Sequence, residues 1–169
     1  MLRALDLKPG MVVADLGAGS GFYAWRMGKQ VGDSGTVYAV DVQPGMVNLL
    51  KKKIAERGSP NVRPILGTTT DPRLPAGQLD LVVMVDVYHE LEFPYEMLAS
   101  IVRALKPEGR VAFVEYRGND STVPIKALHT MTEAQVRKEA SAHPLEWVTT
   151  VSELPWQQVI VFRKRKESG

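Results

Sequence analysis

The sequence contains no cysteine. Disulfides, thiolate metal sites and cysteine nucleophiles are therefore excluded. The redox compartment stays open, because a chain without thiols is stable at any poise. Aromatic residues make up only 7% of the 169 residues. Trp25, Trp147 and Trp156 are scattered, which suits packing better than a base-stacking platform. A charge excess is also missing: 21 basic residues face 19 acidic ones, for a net +2, and this gives no electrostatic reason to expect nucleic acid. No apolar run approaches a membrane span, and the first residues lack the apolar core of a signal peptide. A soluble, cytoplasmic protein is expected. There is no internal repeat, low-complexity tract or dividing linker, so residues 1–169 are expected to form a single domain.

What is present is an alternation of strand-like and helical patterns. Met11–Leu16 and "TVYAVDV" (Thr36–Val42) are short apolar strands, and a helix over Gly21–Val31 lies between them. "PGMVNLLKKKIAERG" is an amphipathic helix with Pro44 in its first turn and Gly58 at its end. "NVRPIL" (Asn61–Leu66) is a weaker strand whose Pro64 predicts an edge position. "LDLVVMVDV" (Leu79–Val87) is almost wholly apolar, as a parallel strand covered on both faces should be. "PYEMLASIVRALKPEG" is a helix stopped at Pro107–Gly109, and "RVAFVEY" (Arg110–Tyr116) follows as a strand. A helix begun by "MTEAQVRKEA", with Thr132 as a cap, precedes "LEWVTTV" and "WQQVIVF", which are spaced to pair antiparallel at one edge. Five strand–helix units imply right-handed crossovers and a doubly wound α/β sheet.

In such a sheet the ligand crevice lies at the carboxyl ends of the strands. "VVADLGAGSGFYAWRM" (Val12–Met27) sits there. Gly17, Gly19 and Gly21 let the backbone approach a ligand closely. A dinucleotide fingerprint needs a glycine at residue 22, which is Phe22, and no Lys-Ser or Lys-Thr pair follows to make a phosphate-binding loop. Asp15 precedes the glycines, where a pyrophosphate would meet repulsion and a cation would not; it could equally cap the following helix. Asp41 ends the second strand, where a carboxylate can accept two ribose hydroxyls or stand as a solvated turn acid. Together these acids and glycines indicate a nucleoside site.

"DLGAGSG" (Asp15–Gly21), the acid of "VYAVDV", "LDLVVMVDVYHEL" and "LKPEGRVAFVEY" together resemble the class I S-adenosylmethionine-dependent methyltransferases, in particular small type 11 or UbiE-like members. The resemblance runs from Leu5 to Arg163. It implies a Rossmann-like seven-stranded sheet in the order 3-2-1-4-5-7-6 with strand 7 antiparallel. It also implies S-adenosyl-L-methionine as cofactor and S-adenosyl-L-homocysteine as product. Gly17, Ala18 and Gly19 would line the methionine part, with Asp15 near its amino group. Asp41 would hold the ribose, Val42 and Gln43 would border the adenine, and Asp86 and Val87 would face the sulfonium end. Many relatives carry an acid soon after strand three. Here "LGTTTDPRLP" offers Thr68 and Thr69 instead, with Thr69 as the candidate and Asp71 displaced. Most relatives also carry one or two helices before strand one, whereas ten residues precede Met11. A short or missing N-terminal cap implies an open site, one completed by a second subunit in a homodimer, or a piece of a longer chain.

Residues facing the methyl acceptor are expected in the loops after strands four and five. "VDVYHELEFP" supplies Tyr88, His89 and Glu90, and "VEYRGNDSTVPIKALHTMT" supplies Glu115, Tyr116, Arg117, Lys126 and His129. His89 is the first candidate for a catalytic base, since an imidazole titrates near neutrality; it could equally order its loop. Tyr88 is a second catalytic candidate or a wall of the acceptor pocket. Glu115, Tyr116 and His129 are candidates for substrate binding, although Glu115 and Tyr116 could simply finish a strand and pair with Arg117. His89, Glu90, Glu115 and His129 are suitable metal-ligand types, but their spacing matches no recognised motif, so no metal is expected.

Further absences narrow the acceptor. Methylating carbon 5 of cytosine and cysteine-based arsenic chemistry both need the missing thiol. The Asn/Asp-Pro-Pro-aromatic loop of adenine- or glutamine-amine methyltransferases is replaced by "DVYH". "KKK" (Lys51–Lys53) shares a helix with Glu56 and reads as a solvated face, and "RKRK" (Arg163–Lys166) reads as a frayed tail, so no basic patch for nucleic acid emerges. A small-molecule or lipid-like acceptor is the leading expectation. Behind it stand a protein acceptor, a non-catalytic cofactor-binding module or partner subunit, and aminopropyl transfer.

Overall fold

The computed structural model describes residues 1–166 of the chain, so the domain expected over 1–169 is followed to that point. A 3₁₀ turn at Leu2–Leu5 buries Leu5 before the first strand, β1 (Val12–Leu16). Then come α1 (Ala24–Val31), β2 (Thr36–Asp41), α2 (Pro44–Arg57), β3 (Val62–Leu66), β4 (Leu79–Val85), α3 (Pro94–Ala104) and β5 (Leu105–Arg117). The chain continues through β6 (Thr130–Met131), α4 (Glu133–Ala140), β7 (Leu145–Val151) and β8 (Gln157–Lys164). The sheet runs β3-β2-β1-β4-β5-β8-β7, with the two-residue β6 set beside the end of β5. Strands β1 to β5 pair in parallel, and β8 is antiparallel to both β5 and β7. This is the order implied by the family resemblance; β6 is an addition to it.

The apolar β4 lies between β1 and β5 with Val82 and Met84 in one core layer and Leu81 and Val83 in the other. Alternate side chains of a strand point to opposite faces, so a strand covered on both sides must be apolar throughout. The first layer packs against Leu98 and Ile101 of α3 and Val136 of α4. The second packs against Ala24, Met27 and Val31 of α1 and Leu50 of α2. Pro64 sits on β3, which pairs only with β2 and forms one edge of the sheet, as its missing N–H requires.

Local rules account for most helix ends. Pro44 opens α2, and Gly58 closes it at φ 57°, where a left-handed residue is needed. Thr132 caps α4 in a reciprocal capping box with Gln135. Helix α3 stops at Ala104, short of the expected Pro107, because Pro107 cannot donate to the turn before it and its ring crowds that turn. The freed carbonyls of Arg103 and Ala104 accept the N–H groups of Gly77 and Gln78 at 3.0 and 2.9 Å.

Three expectations are corrected. Four, not five, strand–helix units carry a helix, because residues 67–78 after β3 are irregular, interrupted by Pro72 and Pro75 and clasped by Thr68 and Asp71, whose backbone groups bond at 2.8 Å. Arg163 and Lys164 belong to β8 rather than to a tail, and Arg163 pairs with Glu146. Trp147 and Trp156 are 43% and 49% exposed rather than core residues. No helix among the described residues is long and apolar enough to cross a membrane.

Candidate cofactor and acceptor site

The turn after β1 is built from three glycines that serve different purposes. Gly17 has φ 73°, and a Cβ there would stand 2.4 Å from Val87 Cγ2, so its absence lets the end of β4 close against the turn. The N–H groups of Gly17 and Ala18 both donate to the Val40 carbonyl at 2.9 Å, which ties the turn to β2. Gly19 has φ 53° and would aim a Cβ into open space. Gly21 instead makes room for Leu50 of α2.

The two acids flank this turn. Asp41 is buried rather than solvated: its Oδ2 accepts the Gly19 N–H at 3.0 Å and its Oδ1 accepts the Gln43 N–H at 2.9 Å. A carboxylate oxygen has more than one lone pair, so both retain capacity for a further donor. Asp15 is 2% exposed, and its Oδ2 has no hydrogen-bond partner. Burial pushes its pKa up to about 7; the Ala24 amide at the start of α1 opposes the rise and the Asp41 charge adds to it. A buried, unpaired acceptor is costly until a donor or cation satisfies it. The orphan Asp15 oxygen suits a ligand that brings a cationic group, and the spare lone pairs of Asp41 suit a pair of hydroxyls.

A cavity of about 210 Å³ opens beside the turn, lined by Gly17, Asp41, Val42, Gln43, Thr68 and Val87, with Pro72, Glu90, Leu91 and Met97. Of the expected ligand residues, Gly17, Asp41, Val42, Gln43 and Val87 meet there. Thr68 rather than the exposed Thr69 borders it, because the clasp with Asp71 turns Thr68 inward. Asp15, Ala18, Gly19 and Asp86 are not among its lining residues. Asp86 has φ 54°, and its two oxygens accept the Gln157 amide at 2.9 and 2.7 Å; burial raises its pKa and that amide opposes the rise.

On the acceptor side the structure rearranges several expectations. Tyr88 is 2% exposed and does not line the cavity: its ring meets Phe113 edge-on, and its hydroxyl donates to Glu139 at 2.7 Å. Burial and Glu139 both push its pKa up. Glu115 does not pair with Arg117. It is fully buried and accepts the Tyr88 N–H at 3.0 Å and the His89 Nδ1–H at 2.6 Å. Burial raises the Glu115 pKa, against the pull of His89. Arg117 turns to Asp120 at 3.1 Å and to the carbonyls of Leu154 and Gln157 at 2.8 and 3.1 Å. His89 Nε2 meets His129 Nδ1 at 3.3 Å, joining two loops that are 40 residues apart in sequence. His89 itself does not border the cavity, whereas its neighbour Glu90 does. Tyr116 pairs with Thr130 and Gln157 at the end of β5.

Two residues escape a sequence reading. Gln157 holds Asp86 across 71 positions, and no local pattern marks it. Tyr23 stands near Asp86, Asp15 and Tyr116, which together with burial raise its pKa; its place just after the glycines was the available signal.

Comparison with known proteins agrees with this geometry. A family model described as a methyltransferase domain matches residues 13–109. The chain is 32% identical over 114 residues to a nocamycin O-methyltransferase from Saccharothrix syringae, covering 66% of this chain and 40% of that one. It is 30% identical to a demethylmenaquinone methyltransferase from Lactococcus lactis, covering 74% and 48%. The chain thus spans about half the length, or less, of these curated relatives. A crystal structure of an S-adenosylmethionine-dependent methyltransferase from Aquifex aeolicus superposes with a TM-score of 0.90 at 28% identity, covering 96% of this chain and 87% of that one.

Proposed function

Because the chain belongs to the class I S-adenosylmethionine-dependent methyltransferases, we propose that it transfers a methyl group from S-adenosylmethionine to a small-molecule or lipid-like acceptor. One observation carries the reading. A buried Asp15 oxygen without a partner precedes a turn open at Gly19, and Asp41 stands in the wall of the nearby cavity. Asp15 receives the amino group, Asp41 receives the ribose hydroxyls, and Val42, Gln43 and Thr68 enclose the adenine. Gly17 and Val87 bound the sulfonium end. When bound, the cofactor supplies a methyl already activated by its positive sulfur. The protein's part is to hold the acceptor in line and exclude water. Leu91 and Met97 make that side of the cavity apolar, which suits the body of an organic acceptor. The nocamycin and demethylmenaquinone relatives, by their names, act on small organic acceptors.

Calorimetry with S-adenosylmethionine and S-adenosylhomocysteine, followed by an acceptor screen, tests this. Asp41→Ala is expected to weaken cofactor binding by about 2–4 kcal/mol, since two charge-assisted hydrogen bonds are lost. Unchanged affinity in a folded variant removes the assignment. A second reading, a module that holds the cofactor without turnover, is favoured by the absence of any histidine among the cavity-lining residues described. Tight cofactor binding with no product across the acceptor screen would select it.

A further inference from the structure

We propose that His89, His129 and Glu90 form a binding site for a divalent transition metal of the zinc type. His89 Nε2 and His129 Nδ1 lie 3.3 Å apart, and one Glu90 carboxylate oxygen lies 3.9 Å from the first and 3.7 Å from the second. The point equidistant from three atoms so spaced is about 2.1 Å from each, within the range of zinc–nitrogen and zinc–oxygen bonds. Two imidazoles and one carboxylate are also a catalytic zinc set, which leaves at least one coordination position free for water or a substrate.

The surroundings of His89 strengthen the assignment. Its other nitrogen, Nδ1, donates to the buried Glu115 at 2.6 Å, and Glu115 is fixed in turn by the Tyr88 N–H. A carboxylate behind a ligating histidine sets the tautomer, aims the free lone pair and raises its basicity. The Nε2 lone pair of His89 is thereby directed at His129. That ring comes from the loop after β5, where the 3₁₀ turn Ala127–His129 brings it to the turn Tyr88–Glu90. A buried carboxylate that orients one imidazole toward another is more than a single imidazole–imidazole hydrogen bond requires.

Glu90 also lines the cavity, so the ion stands at its edge. There an acceptor hydroxyl bound to the free position would give up its proton to water more readily. That role rests on the methyl-transfer reading; binding of the ion does not.

The test is zinc chloride titrated calorimetrically into the whole chain without cofactor, with cobalt(II) as a spectroscopic probe. One equivalent should bind, and cobalt should develop visible absorption at the same ratio. His129 and Glu90 have side chains 44% and 61% exposed, so His129→Ala and Glu90→Gln should fold. Each should weaken zinc on the order of a hundredfold. Glu115→Gln should cost roughly 10–100-fold, as loss of an orienting partner does. His143→Ala, which changes a ring packed at a tilt against Tyr95, should leave the affinity as it was. No zinc binding, or equal binding by the wild type and His129→Ala, overturns the site and leaves a hydrogen-bonded pair of imidazoles. Parallel calorimetry with S-adenosylhomocysteine separates the two readings. Cofactor binding without zinc removes only the metal, and zinc binding without cofactor removes only the methyl-transfer assignment.

Discussion

Asp15 is an acid in a position that disfavours its charge. In the unfolded chain its carboxyl loses its proton near 3.8, and in the folded protein near 7. Between those values the folded state binds more protons than the unfolded one, so this group's effect on stability worsens as pH rises and is complete above about 7. The difference corresponds to roughly 4 kcal/mol at most. Asp15→Asn should therefore raise the thermal midpoint at about pH 8 and change it little at about pH 4; a gain independent of pH would sink this account. A cation beside the same oxygen lowers its pKa. Binding of S-adenosylhomocysteine near neutrality should then release a proton, visible as a calorimetric heat that varies with buffer ionisation. A heat that does not vary would place the amino group elsewhere. Asp15 and Asp41 could be singled out in the sequence because Asp15 directly precedes the glycines and Asp41 ends an apolar strand. The partners of His89 and Asp86 were not, because His129 and Gln157 reach them from 40 and 71 positions away.

At the scale of the element, the glycine turn divides into two duties that one substitution at each position can separate. Any side chain at positive φ costs roughly 1–2 kcal/mol. At Gly17 an added methyl also meets Val87 at 2.4 Å, so Gly17→Ala should lose about 1–3 kcal/mol more through overpacking. At Gly19 nothing lies within 4 Å. Gly19→Val should therefore keep the fold near that backbone cost while its branches occupy the ligand's place. Urea midpoints and calorimetry together decide: a Gly19→Val protein that still binds at wild-type strength shows that the turn does not cradle the cofactor. The ends of α2 were readable because Pro44 and Gly58 act within one turn of chain. The stretch 67–78 misled because alternation of strands and helices is a rule about connections, and a connection rich in proline can cross the sheet edge without a helix.

For the whole molecule, a ligand that binds only the folded state must stabilise it. S-adenosylhomocysteine at a hundred times its dissociation constant adds about 2.7 kcal/mol, which for a chain of this size is a rise of roughly 5–10 °C in the thermal midpoint. No rise at any concentration would remove the cofactor assignment. The long strands were legible as bounded apolar runs, but their order was implied by the family resemblance rather than by any pattern along the chain; β6 was not legible, since two residues carry no period. The finished sheet has two free margins, and each is spoiled as a template for another strand. On β3, Pro64 interrupts the row of donors that an added strand would need. On β7 the register shifts between Trp147 and Thr149, so the backbone there does not present an even ladder. A protein with half-exposed tryptophans so near its margin is thereby guarded against stacking sheet upon sheet, edge to edge, when it is crowded with copies of itself.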